Sequence, residues 1–227
     1  MTKGKKVNLT QAQIIVIASI GAILLEILIT KIMLLADPSL DARKNASDIN
    51  KVFFAFVVAG SVLLVWKTPV TIRWDSLRIG DRKRFGHEML EAAVVSLVLI
   101  AVMFGVRLIM NRMDPDVAER PYFGLYLDRH GRWFYPISAV LQELFIKGLI
   151  QENYRSLSDG RNTHYTVAAV GLFFAVLHMN YPLYYLLGAG LLCFGTGYLY
   201  ERDRNIWGSA LIHFVIGFMP RALGLKI

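Results

Sequence analysis

The sequence predicts an all-α protein, a polytopic membrane helix bundle of about seven transmembrane helices, with six to eight as the range. Three observations predict it. Hydrophobic residues make up 55% of the 227-residue chain and charged residues 19%, with a mean hydropathy of +0.46, whereas soluble domains are roughly 45–50% apolar. The apolar residues gather in runs of the ~20 residues that a helix needs to cross a ~30 Å hydrocarbon core. The Lys and Arg residues fall mainly between these runs. The net charge of +8 therefore does not form a basic helix or an aromatic-basic pattern, so nucleic acid is excluded as the expected partner and the lipid bilayer takes its place.

Seven runs follow in order. The first, Gln11 to Leu35, is preceded by Lys3, Lys5 and Lys6, but it is long and has no clear small-residue cleavage site, so it reads as a retained anchor. Glu26 and Lys31 fall toward its end, where long side chains snorkel to the headgroups. The second is Ile49 to Trp66. The basic stretch Thr71 to Glu88 interleaves Ile72, Trp74, Leu77, Ile79 and Phe85, which suits either the interface plane against anionic lipid or a solvated loop. The third run, Met89 to Met110, carries Arg107 near its end, again in snorkelling range. The fourth is Phe134 to Tyr154, with Pro136 tolerated in its first turn. The fifth and shortest, Tyr165 to Met179, is closed by Tyr181-Pro182, with Asn180 placed to cap the turn or line a site. The sixth, Leu183 to Tyr200, repeats small residues every fourth position at Ala189, Cys193 and Gly197, beside Gly188, Gly190 and Gly195, which marks a packing face. Asn205 is placed to cap the seventh, which ends at Met219. One cysteine, Cys193, excludes an internal disulfide and a thiolate zinc site. The Lys67, Arg73, Arg78, Arg82, Lys83 and Arg84 loop orients the chain with a cytoplasmic N-terminus.

The polar groups inside the runs carry the functional signal, because an ionisable side chain there costs about 2.5–3.5 kcal/mol even on the lenient insertion scale. Gln142, Glu143 and Lys147 interrupt the middle of AVLQELFIKGLIQENY. Glu143 and Lys147 stand i, i+4 in the favourable order, so a self-neutralised pair continued by Gln151 is one reading. His178 closes VGLFFAVLH and His213 lies within NIWGSALIHFVIGF. Glu143 and His213 each fall about nine residues, or roughly 13 Å, from the same expected membrane face. A carboxylate and two imidazoles form a working set in which one group activates water, one relays the proton and one donates to an oxyanion. The same three could serve as a two-His, one-carboxylate metal site, although His87-Glu88 is followed by Met89, Leu90 and Glu91, so no H-E-x-x-H helix motif occurs.

At these residues the chain resembles the CPBP family, the intramembrane glutamate-type proteases that include CAAX prenyl endopeptidases and bacteriocin-processing proteins. The resemblance runs from about Pro136 to Met219 through Gln142-Glu143-Leu144-Phe145-Ile146-Lys147-Gly148, then Phe174-Ala175-Val176-Leu177-His178, then Asn205-Ile206-Trp207-Gly208 leading to His213. It implies one membrane domain, with N-terminal helices and a basic loop in residues 1–133 and a site-bearing core in 134–222. It implies Glu143, His178 and His213 as catalytic residues, with His178 handling protons and His213 donating to the oxyanion, and Gln142, Lys147 and Phe174 as supporting residues. It also implies a membrane-associated or prenylated protein as substrate, no bound cofactor, and an integral protein of a prokaryotic cell membrane. Three positions depart from the family pattern: Gln142 stands for the first of two glutamates, Lys147 for an arginine and Gly217 for an asparagine. A glutamine cannot take up a proton at neutral pH, so a catalytically silent relative that binds a peptide or partner protein is the alternative, and a His/His/Glu metal-dependent hydrolase the third.

Overall fold

A computed structural model describes residues 9–41, 45–124, 134–156 and 162–225, and all regular structure in them is helical. The elements are α1 (Leu9–Ala36), α2 (Ala46–Lys67), a 3-10 turn (Trp74–Leu77), α3 (Arg82–Met113), α4 (Pro115–Ala118), α5 (Phe134–Glu143), a π-helix (Leu144–Gln151), α6 (Glu152–Arg155), α7 (Thr163–Val176), α8 (Leu183–Asp203) and α9 (Trp207–Ala222). Each of the seven apolar runs coincides with helical structure. Four helices, Gln13–Ala36, Asp48–Lys67, Arg82–Met113 and Leu183–Asp203, are long and apolar enough to cross a membrane, and α7 and α9 are apolar but shorter. Lys3, Lys5 and Lys6 lie outside the described residues.

Two boundaries differ from the sequence reading. Helix α3 begins at Arg82 rather than Met89, because the Asp81 carboxylate accepts from the Lys83 and Arg84 amides at 2.7 and 3.3 Å and caps the helix there. The second half of the basic stretch is therefore helix. The fourth run is not one α-helix either, since eight residues of π-helix separate α5 from α6.

The chain forms two compact units, each built from two segments. The first comprises Met1–Arg73 and Phe145–Tyr198. Here α1 packs on α2 and α6, and α6 on α7, around Ile15, Phe53, Ile146, Leu149, Val170 and Phe173. Helices α7 and α8 approach closely where glycines permit it: a Cβ on Gly190 would lie 3.0 Å from the Ala175 Cβ, and one on Gly197 2.9 Å from a Val167 methyl. Gly188 and Gly195, by contrast, face open space. Glu26 does not snorkel. It is fully buried and accepts from the Asn180 amide at 3.2 Å, while Thr30 bonds both the Glu26 carbonyl and Asn180. An uncharged donor from the turn after α7 meets one oxygen of this carboxyl inside the protein, whereas Lys31 is exposed.

The second unit comprises Trp74–Leu144 and Leu199–Ile227. Its centre is α9, packed on α3 and α5, with Gly208 set against Ala92. The Asn205 side-chain oxygen, Oδ1, accepts from the Trp207 amide at 3.2 Å, the expected cap, and the Asn205 side-chain amide donates to Glu88. The start of α9 is also tied to the 3-10 turn, through the Ile206 amide on the Ser76 carbonyl and the Trp207 indole on the Leu77 carbonyl. Arg107, expected to snorkel, is instead fully buried. Its guanidinium donates to the carbonyls of Leu223, Val117 and Arg120 at 2.6, 2.7 and 2.8 Å and to the Asn111 side chain at 3.0 Å. The cause lies in the ends of α9 and α4, whose last carbonyls lack intrahelical donors and carry partial negative charge. Gly224 turns the chain there with a φ of 65°, and a Cβ on it would meet the Pro121 carbonyl at 3.1 Å.

Arg107→Leu removes the guanidinium from these carbonyls, of which Val117 keeps the Arg120 amide at 3.1 Å, and is expected to cost about 3 kcal/mol of stability, read as an early unfolding transition in detergent. Arg107→Lys recovers only part of the loss, because an ammonium cannot reproduce the fork. Unfolding of Arg107→Leu within a degree of the wild type would contradict this role.

Candidate active site

Two inward-facing rows of side chains meet inside the second unit. Ala210 and His213 on α9 and Ile206 just before it are all buried, and on α5 Ala139 and Glu143 are buried one turn apart, the i, i+3/i+4 spacing of a packed helix face. At the end of these rows the Glu143 carboxylate and the His213 ring lie 2.8 Å apart, Oε1 to Nδ1, with only 3% and 6% of each residue exposed. An imidazole that faces a carboxylate at Nδ1 holds its proton on that nitrogen and presents Nε2 to whatever enters. Gln142 points about 100° away around the helix, and its amide donates to the Ser138 hydroxyl at 3.0 Å.

Glu143 is also the last residue of α5 before the backbone widens into π geometry. Its i→i+5 bonding means that side chains four apart no longer stack as they do in an α-helix, and the i, i+4 reading of Glu143 with Lys147 assumed α geometry. In the first unit, Lys147 is fully buried, donates to the Cys193 carbonyl at 2.9 Å and touches the Cys193 sulfur at 3.3 Å. Four residues on, Gln151 donates to the Gly197 carbonyl at 3.0 Å. Two long polar side chains thus meet successive turns of α8, so the small residues of that helix admit polar contacts as well as close packing.

His178 lies in the turn that follows α7 and belongs to the first unit, while Glu143 and His213 belong to the second. The structure therefore brings together Glu143 and His213 within one unit. The His178 Nδ1 sits 2.8 Å from the Phe174 carbonyl, and since a carbonyl only accepts, Nδ1 carries the proton and Nε2 the lone pair of the neutral ring. Phe174 also packs its ring on the imidazole at 4.6 Å, with Tyr181 and Tyr185 at 5.8 and 5.9 Å. The Phe-x-x-x-His spacing is what allows one residue to supply both contacts. Among the described residues, no group of three His, Cys, Asp or Glu side chains suited to a metal ion occurs.

One residue at the site had no signal in the sequence. A Cβ on Gly217 would fall 1.5 Å from the Tyr135 hydroxyl and 2.5 Å from its Cζ, so the phenol fills the place of a side chain at 217. Tyr135 opens α5 two turns before Glu143, and its ring lies 6.0 Å from Phe214. Nothing short of the packing of α5 on α9 pairs a tyrosine with a glycine 82 positions later.

The fold and the site together define an all-helical protein with membrane-length apolar helices and a buried carboxylate–imidazole pair. Comparison with known proteins supplies the family: residues 132–219 match the family model for Rce1-like proteins, described as type II CAAX prenyl endopeptidase. That segment, which holds Glu143, His178 and His213, is similar to the CAAX-type intramembrane proteases, and the chain that carries it has four helices long and apolar enough to cross a membrane. No curated protein and no solved structure matches the chain.

The 2.8 Å contact is expected to couple its partners. Glu143→Ala and His213→Ala should each destabilise the protein, and the double variant should lose less than their sum, by about 1–3 kcal/mol. Unfolding measurements that add to within about 0.5 kcal/mol would deny the contact.

Proposed function

We propose that this chain hydrolyses a peptide bond in a membrane-associated or prenylated protein, with water activated at the Glu143–His213 pair. The buried contact between Oε1 and Nδ1 carries the reading. A carboxylate at Nδ1 raises the basicity of Nε2 and stabilises the imidazolium that forms when Nε2 takes a proton from water. The same imidazolium then returns the proton to the leaving amine. The pair therefore replaces the base that Gln142 cannot supply. His178, with its tautomer fixed by Phe174, joins the proposal as a second proton-handling group on the strength of the sequence resemblance. The reaction requires no bound cofactor.

The substrate class rests on the family match over residues 132–219. A site reached between helices selects for chain segments held at the membrane, which agrees with a lipid-anchored substrate. The basic loop from Lys67 to Arg84 supports a cytoplasmic N-terminus. A silent, partner-binding relative is the second reading, and the Gln142 side chain, occupied with Ser138, is the observation that favours it.

The two readings separate on new protein termini in membranes from cells expressing the wild type or Glu143→Ala at matched levels. Hydrolysis predicts a set of termini present with the wild type and lost with Glu143→Ala, and lost equally with His213→Ala. Identical termini at adequate depth would leave the binding reading standing.

A further inference from the structure

We infer that the Tyr135 hydroxyl is the hydrogen-bond donor to the oxyanion formed at this site, an inference that rests on the hydrolytic reading of Glu143 and His213. The placement comes from three observations within the second unit. The hydroxyl lies 1.5 Å from where a Cβ on Gly217 would stand. Gly217 and His213 are i, i+4 on α9, so their Cβ positions stack roughly 5–6 Å apart on one face. The imidazole on that face is bonded at Nδ1 to Glu143. The phenol oxygen therefore sits one helical turn along α9 from the residue whose ring works on water, and it enters from α5, the helix that also carries Glu143.

The chemistry needs such a group. While Nε2 of His213 accepts a proton from water it has no N–H to offer, so it cannot stabilise the developing oxyanion at the same moment. A phenol, whose ordinary pKa is about 10, stays protonated at neutral pH and keeps its donor. As water's oxygen bonds to the peptide carbon, its proton passes to Nε2 and the carbonyl π electrons move onto oxygen, which accepts from the Tyr135 O–H. On collapse the C–O double bond reforms, the C–N bond breaks, and the Nε2 proton goes to the departing nitrogen. Tyr135 ends each cycle as it began. Gly217 is thus not a lost donor: its missing side chain is the space through which a donor from another helix arrives. A residue with any Cβ at 217 would displace that hydroxyl.

The test compares cleavage by wild type, Tyr135→Phe and Glu143→Ala in proteoliposomes, using as probe a peptide that spans a cleavage point found by comparing termini. Tyr135→Phe should fold and melt like the wild type, hold its KM and lose about 10²–10³-fold in kcat, the usual effect of removing one oxyanion donor. The double change Tyr135→Ala/Gly217→Asn places an amide donor in the vacated space and should exceed Tyr135→Ala alone in kcat, a rescue that a merely structural tyrosine would not give. If Tyr135→Phe cleaves at the wild-type rate while Glu143→Ala is inactive, the tyrosine proposal is overturned and the hydrolytic reading stands. If Glu143→Ala also cleaves at the wild-type rate, the hydrolytic reading fails and the tyrosine proposal with it.

Discussion

Polar groups within a bilayer have no water to answer them, so each must find its partner inside the protein or reach the headgroups. That constraint recurs through the described residues of both units. Glu26 is met by Asn180, Lys147 by the Cys193 carbonyl, Gln151 by the Gly197 carbonyl, and Glu143 by His213. Arg107 collects three backbone carbonyls around the ends of α4 and α9. Most of these contacts join helices distant in sequence, so satisfying the polar groups and assembling the helices are one process. The apolar surfaces give little preference for one helix neighbour over another in lipid, and the polar contacts supply the selectivity.

Within that frame, the Glu143–His213 contact differs from the others in chemical kind. Lysine or arginine bonded to carbonyls, or an amide bonded to a carboxyl, is structural and has little to offer a reaction. A carboxylate facing an imidazole makes a proton acceptor whose strength depends on both. The π-helix begins at the residue after Glu143, and its wider turn sends Lys147 and Gln151 to α8. Irregular helix of this kind often marks functional positions, because regular α geometry would impose a different register.

The helices were legible in the sequence because hydrophobic runs of bilayer length admit few alternatives, and all seven coincide with helical structure. The start of α3 was missed because the apolar run begins later than the helix does, and only the Asp81 cap marks the true start. Glu26 and Arg107 were misread for a shared reason. Both lie toward the ends of runs, where snorkelling is available, and what keeps them inside are partners from remote segments: the turn at Asn180 and the carbonyls at Val117, Arg120 and Leu223. At the site, Glu143 and His213 were legible as expensive polar groups at similar depth. The π register and the seating of Tyr135 on Gly217 were not, since each depends on how one helix meets another rather than on the periodicity of either.

The central claim is that Glu143 fixes the tautomer and basicity of His213. Solid-state NMR of the histidine-labelled protein in lipid bilayers reads this directly, with the His213 signals assigned by their loss in His213→Gln. The pair predicts a neutral-pH ring protonated at Nδ1, with a downfield-shifted proton in a strong hydrogen bond, and predicts that this shift disappears in Glu143→Ala. A His213 ring protonated at Nε2 alone, with shifts unchanged by Glu143→Ala, would contradict it.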